Sequence, residues 1–318
     1  MKHTLKITLI LLTIFLLAQF MGIATLYKYI DPLKTSELGE TTFKELPIGE
    51  RPPIDEETSY LPILLAILIG TGLLLLLIKF KLIWIWKAWF LIAVFIALLV
   101  SFTAFIKVEL ALLLALIFAF WKIFKPNIWV QNLTEIFIYG GLAAIFVPML
   151  NLFSVSILLI LISIYDAYAV WKSKHMITLA KSQAKAKVFA GLLIPYQLGK
   201  MNSKEKKIKQ KIKKSKKSKV SSLTKSTAKI TAKTKTITKS VHTAILGGGD
   251  IAFPLIFAGV ILKEMGLWQS LIIPFFALAG LAVLFWKAEE KKFYPAMPFI
   301  SAGCFIGLGV VWLINFLI

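Results

Sequence analysis

Cysteine is almost absent: of 318 residues only Cys304 carries a thiol, which excludes a disulfide framework and any Cys-rich zinc or iron–sulfur site. Histidine is scarce as well. His3, His175 and His242 are too scattered for an HExxH zinc motif. All three sit near the ends of apolar runs, so neither zinc-dependent nor serine–histidine hydrolysis inside a membrane is open to them. No metal or cofactor is expected. Acidic residues number 16 against 37 Lys and Arg, a formal charge of +21. Also missing is enough polar sequence for a sizeable soluble domain, because 58% of the chain is hydrophobic and its mean hydropathy is +0.81. Ordinary soluble domains are about 45–50% apolar.

The positive charge has one address. Between Lys172 and Ser240 there are 21 lysines and one acid, Glu205, whereas basic and acidic residues nearly balance elsewhere. From Lys204 to Ser240 the composition is dominated by Lys, Ser and Thr without a single aromatic, and such a stretch buries too little apolar area to offset the entropy of ordering it. Disorder is expected there. Without aromatics to stack on bases, nucleic acid is not the expected partner; lysines close to a bilayer attract anionic lipid headgroups instead.

Apolar runs of spanning length occur near 5–26, 60–79, 83–106, 108–124, 131–150, 152–171, 243–263, 267–286 and 295–317. The reading is an all-α polytopic membrane protein with nine transmembrane helices. It falls into a six-helix part (1–171), a lysine-rich loop (172–242) and a three-helix part (243–318). The first run exceeds the apolar core of a secretory signal and no small-residue cleavage site follows it, so a retained helix is expected. Lys107 and Glu109 mark a turn within 83–124, which is too long for one span. Lys2 and Lys6, then Lys79, Lys81 and Lys87, then Lys122 and Lys125, then the lysine-rich loop, then Lys287, Lys291 and Lys292 all fall on one side. The positive-inside rule makes that side the cytoplasm of a cell membrane, with the amino terminus inside and the carboxyl terminus outside.

Carboxylates inside a span are costly, and two aspartates stand out. Asp166 lies five residues before Trp171, and Asp250 seven residues into the next run. At a 1.5 Å rise per residue these are depths of roughly 7–8 Å and roughly 10 Å. Consecutive helices run antiparallel, so both groups reach nearly one level from the same face. Two carboxyls in a low-dielectric site cannot both ionise cheaply and share a proton. That is the chemistry of an aspartic protease, in which the ionised group takes a proton from water and the protonated one stabilises the oxyanion. Each aspartate could instead merely satisfy a neighbouring Tyr, Lys or backbone group. A proton or ion transporter could also use both, although the two halves of the chain show no internal symmetry to favour that. Gly247, Gly248 and Gly249 precede Asp250, and Pro254 follows it. Both features weaken a helix where a peptide would have to be received.

Three short motifs occur in order: Tyr165-Asp166, Gly247-Gly248-Gly249-Asp250 and Pro295-Ala296-Met297. Together they resemble the YD, GxGD and PAL motifs of the presenilin and signal peptide peptidase family of intramembrane aspartyl proteases. The segments SIYDAYAVWKSKHMITLA and QNLTEIFIYGGLAAIFVP are similar to its archaeal members. Met297 stands where the family has Leu, a near-isosteric change, and Gly248 fills the variable position. Pro254 is more like the signal peptide peptidase branch, whereas the amino-in orientation is presenilin-like. The resemblance implies the nine-helix presenilin-like fold, with Asp166 and Asp250 catalytic. It also implies that Tyr165, the three glycines and Pro295 to Met297 support the site, and that the substrates are single-span proteins or remnant signal peptides.

In presenilins a strand just before the GxGD motif joins the substrate in a small sheet. Val241, His242, Thr243, Ala244, Ile245 and Leu246 are β-branched and apolar at that place. They are expected to be extended and to pair with an unwound substrate; the competing expectation is that they begin the seventh helix.

Overall fold

The computed structural model describes residues 5–172, 189–195, 243–288 and 294–317. The Lys204-to-Ser240 stretch, for which disorder is expected, lies outside them. The described residues form ten α-helices, one 3-10 turn and a two-stranded sheet. In order they are α1 (Leu5–Tyr29), α2 (Pro32–Leu38), α3 (Tyr60–Lys79), α4 (Ile83–Thr103), α5 (Val108–Phe124) and α6 (Ile128–Phe146). The 3-10 turn Val147–Met149 leads to α7 (Leu152–Trp171), followed by β1 (Gly191–Pro195) and β2 (Thr243–Gly247). The chain ends with α8 (Gly249–Glu264), α9 (Leu267–Lys287) and α10 (Met297–Leu317). Two compact units are distinguished, one of Met1–Ile194 with Ile245–Ile318 and one of Pro195–Ala244. In the second, only Pro195, Thr243 and Ala244 are described, each at a strand end.

Long apolar runs become helices because a helix satisfies its own backbone polar groups where no water can do so. Polar caps set their starts: Asn127 accepts from Trp129 N, and Asn151 accepts from Ser154 N at 2.8 Å. The fold is that of a multi-pass membrane protein, and among the described residues seven helices are long and apolar enough to cross a bilayer. Nine spans were expected; α5, at 17 residues, and α8, at 16, are the two that fall short of that length. The expected seventh span, 243–263, is corrected at its start, since residues 243–247 are a strand and the helix opens at Gly249. The reason is local. Gly247 to Gly249 resist helix, and β1 offers the preceding backbone a ladder to pair with.

Helix α8 is the centre of the helical unit. Every residue from Pro254 to Leu262 is buried, and the helix packs against α1, α6, α7, α9 and α10. Burial on all faces marks an inner helix, whereas α3, with Ile63 alone buried, is apolar and outward-facing. Helices α4, α5 and α6 form a second packed group, in which Ala111, Ala115 and Ala119 line one face of α5 at i, i+4 spacing and let α4 approach closely. At the end of α8 remote from Asp250, Lys263 pairs with Glu56 at 2.6 Å and donates to Leu150 O at 3.2 Å.

Candidate active site

The central helix places Asp250 in its first turn, and α7 places Asp166 five residues before its own end. The two carboxyls lie on helices that pack against each other. Each is held by backbone donors from a different motif. Asp166 Oδ2 accepts the Met297 N–H at 3.2 Å, and the Ala296 N–H donates to the same carboxyl. Asp250 accepts the N–H of Gly247. Pro295, Ala296 and Met297 are buried at the mouth of α10, so the segment that orients Asp166 is itself fixed by packing. Tyr165 precedes Asp166 on α7. One turn before Asp166, the Ser163 hydroxyl meets Ser301 of α10 at 2.7 Å, and Gln19 of α1 donates to Ile251 O at 2.8 Å. Four helices are thereby tied together around the pair.

Directly before Asp250 runs the sheet. Gly248 N donates to Ala190 O at 3.2 Å, which sets the start of β1 against the end of β2 and makes the strands antiparallel. In that register Leu192 faces Leu246, and Leu193 faces Ile245. Because ladder bonds alternate along a strand, Leu246 turns its backbone toward β1 and Ile245 turns its backbone to the far edge. The Gly247 N–H, on that same far edge, is the one that reaches Asp250. Thr243, Ala244, Ile245 and Leu246 therefore all lie in β2, while Val241 and His242 lie outside the described residues. Gly191 has φ +137°, and a Cβ there would run into the Leu246 carbonyl, so only glycine lets β1 start this close to β2.

A second polar cluster was not singled out in the sequence. On α6, Glu135 Oε1 accepts from Lys122 Nζ at 2.6 Å and from Gln131 Nε2 at 2.7 Å, while Tyr139 OH donates to Glu135 Oε2. Lys122, read from the sequence as a cytoplasmic loop lysine, is instead almost fully enclosed with its partner and also donates to Thr134 Oγ1. Burial demands such pairing, because either charge alone would be strongly unfavourable there. The cluster also reaches the glycines before Asp250. A Cβ built on Gly248 would lie 2.9 Å from Tyr139 Oη, so the hydroxyl occupies the space any other residue at the variable GxGD position would need. The readable signal was the i, i+4, i+8 series Gln131, Glu135, Tyr139 on one helix face.

Among the described residues no group of His, Cys, Asp or Glu could hold a metal ion. A family model described as signal-peptide peptidase, presenilin aspartyl protease matches residues 47–317. Two solved structures share the fold, both of a presenilin family intramembrane aspartate protease. The one in C222 crystals is 20% identical over 96% of this chain and 99% of its own, with a TM-score of 0.58. The one in P2 crystals is 18% identical over 96% of each chain, with a TM-score of 0.57. No curated protein matches the sequence.

Proposed function

The chain belongs to the signal-peptide peptidase, presenilin aspartyl protease family, and from that premise we propose that it is a GxGD-type endopeptidase cutting peptide bonds within transmembrane helices, with Asp166 and Asp250 as its catalytic pair. The observation that carries the reading is that two carboxyls lie on helices packed against each other, Asp166 accepting the N–H of Met297 and Asp250 that of Gly247. The pair shares one proton. Its ionised member takes a proton from water as the water attacks the scissile carbonyl, and its protonated member hydrogen-bonds the carbonyl oxygen and then protonates the leaving amine. The backbone donors keep both carboxyls aimed without competing as acids.

The substrates are single-span proteins or remnant signal peptides, unwound near the pair and laid along the Ile245 edge of β2. Nine helices span the membrane, α5 and α8 among them, with the amino terminus and the 172–242 loop cytoplasmic. That loop meets anionic headgroups.

Cleavage measured against pH tests the shared proton. A bell-shaped profile is expected, falling at low pH as the second carboxyl is protonated and at high pH as the last proton is lost. A monotonic profile, corrected for stability, contradicts it.

The contact between Gly248 and Tyr139 gives a second expectation. Gly248→Ala should lower kcat/KM by about tenfold, since Tyr139, anchored on Glu135, has to move. Adding Tyr139→Phe should recover much of that loss; equal activity of the single and double variants would separate the contact from catalysis.

A further inference from the structure

The sheet has two outer edges, and the structure treats them differently. On β1 the outward-facing groups belong to Gly191 and Leu193, the residues between those that bond β2. The Gly191 carbonyl and both Leu193 groups are taken by two adjacent side chains of α6. Asn132 Nδ2 donates to Leu193 O at 2.9 Å, and Leu193 N donates to Asn132 Oδ1 at 2.9 Å. This is the two-bond exchange that a residue of a neighbouring strand would make. Gln131 Nε2 donates to Gly191 O at 3.0 Å and to Phe189 O at 2.8 Å. Its amide is oriented by Glu135, whose charge Lys122 neutralises. On β2 the outward residues include Gly247, whose N–H goes to Asp250, and Ile245, which is 45% exposed.

We propose that Gln131 and Asn132 are positioning residues that act as a surrogate third strand, sealing the β1 edge so that an extended substrate segment adds only to the Ile245 edge of β2, beside Asp250. The proposal rests on the reading above that a substrate is cut at the aspartate pair. An open two-stranded sheet offers two equivalent templates, and pairing on the β1 side would hold a substrate one strand further from the carboxyls, with the wrong backbone face toward them. Sealing that edge removes the unproductive mode. It also orders the sheet before substrate arrives, because a lone two-stranded ribbon is at best marginally stable.

The test uses the full chain with two substitutions at one site. Asn132→Leu keeps the branched side-chain shape and removes both bonds; Asn132→Asp keeps the acceptor for Leu193 N–H and removes the donor. Amide hydrogen exchange without substrate should show Leu193 exchanging about tenfold faster in Asn132→Leu, with an intermediate rate in Asn132→Asp and unchanged exchange in α8. On a stably helical single-span substrate, KM should rise several-fold to about tenfold in Asn132→Leu with kcat within twofold of wild type, and Asn132→Asp should recover part of the loss. Unchanged Leu193 exchange overturns the cap. So does faster exchange with KM unchanged, or a fall confined to kcat. The exchange arm needs no catalysis, so a chain that cleaves nothing refutes the protease reading while leaving the edge cap to be judged on Leu193 alone. If Asn132→Leu does not fold, the exchange and KM arms are read on Asn132→Asp.

Discussion

Asp250→Asn is expected to abolish cleavage of a single-span substrate, by about a thousandfold or more, and Asp166→Asn to do the same. The two losses should not add, because the carboxyls work as one proton-sharing unit and either substitution leaves no partner for the other. Folding should survive both. Asn fits the volume of Asp and its carbonyl can still accept the Met297 N–H at position 166 or the Gly247 N–H at position 250. Cleavage rates together with thermal unfolding check this. A variant that keeps its melting temperature and retains activity within a few-fold of wild type would remove its aspartate from the mechanism.

The second large effect is expected at Ile245. Its backbone lies on the outer edge of β2, so Ile245→Pro deletes a donor that faces incoming substrate and spares the ladder to β1. Pro also favours extended backbone in the residue before it, which β2 already supplies. Cleavage should fall by about tenfold, the cost of one lost main-chain bond at the transition state, while the melting temperature shifts little. Leu246→Pro is the contrasting control, because its N–H faces β1 and its loss should damage both stability and activity. Full activity in Ile245→Pro would mean that substrate does not pair along this edge.

The helices were legible because a bilayer makes the signal simple: long uncharged runs with lysines at alternate ends. Asp166 and Asp250 stood out for the same reason, since a carboxylate in such a run needs a purpose. The strand before α8 was expected on the family resemblance and not from periodicity. VHTAIL is apolar and continuous with the helix after it, and a short apolar run does not distinguish strand from helix by period. What decides it is β1, whose GLLIP sits about fifty residues earlier inside a lysine-rich region that reads as featureless. The strand is held between β2 on one side and Asn132 and Gln131 of α6 on the other, partners spread over three separate segments. Lys122 was misread for a related reason. A lysine at a helix end ordinarily reaches water, and only the fold brings Glu135 opposite it. The glycine at position 248 could be read as flexibility; the structure adds that Tyr139 fills the space beside it.

Mass analysis of the cleavage products tests the central claim most directly. Purified protein is reconstituted with a single-span substrate, and the new chain ends are identified for wild type and for Asp250→Asn. Two fragments whose new ends fall inside the substrate's apolar span, formed by wild type and missing with Asp250→Asn, are the predicted result. Fragments cut only outside the span, or the same fragments from both proteins, would contradict it.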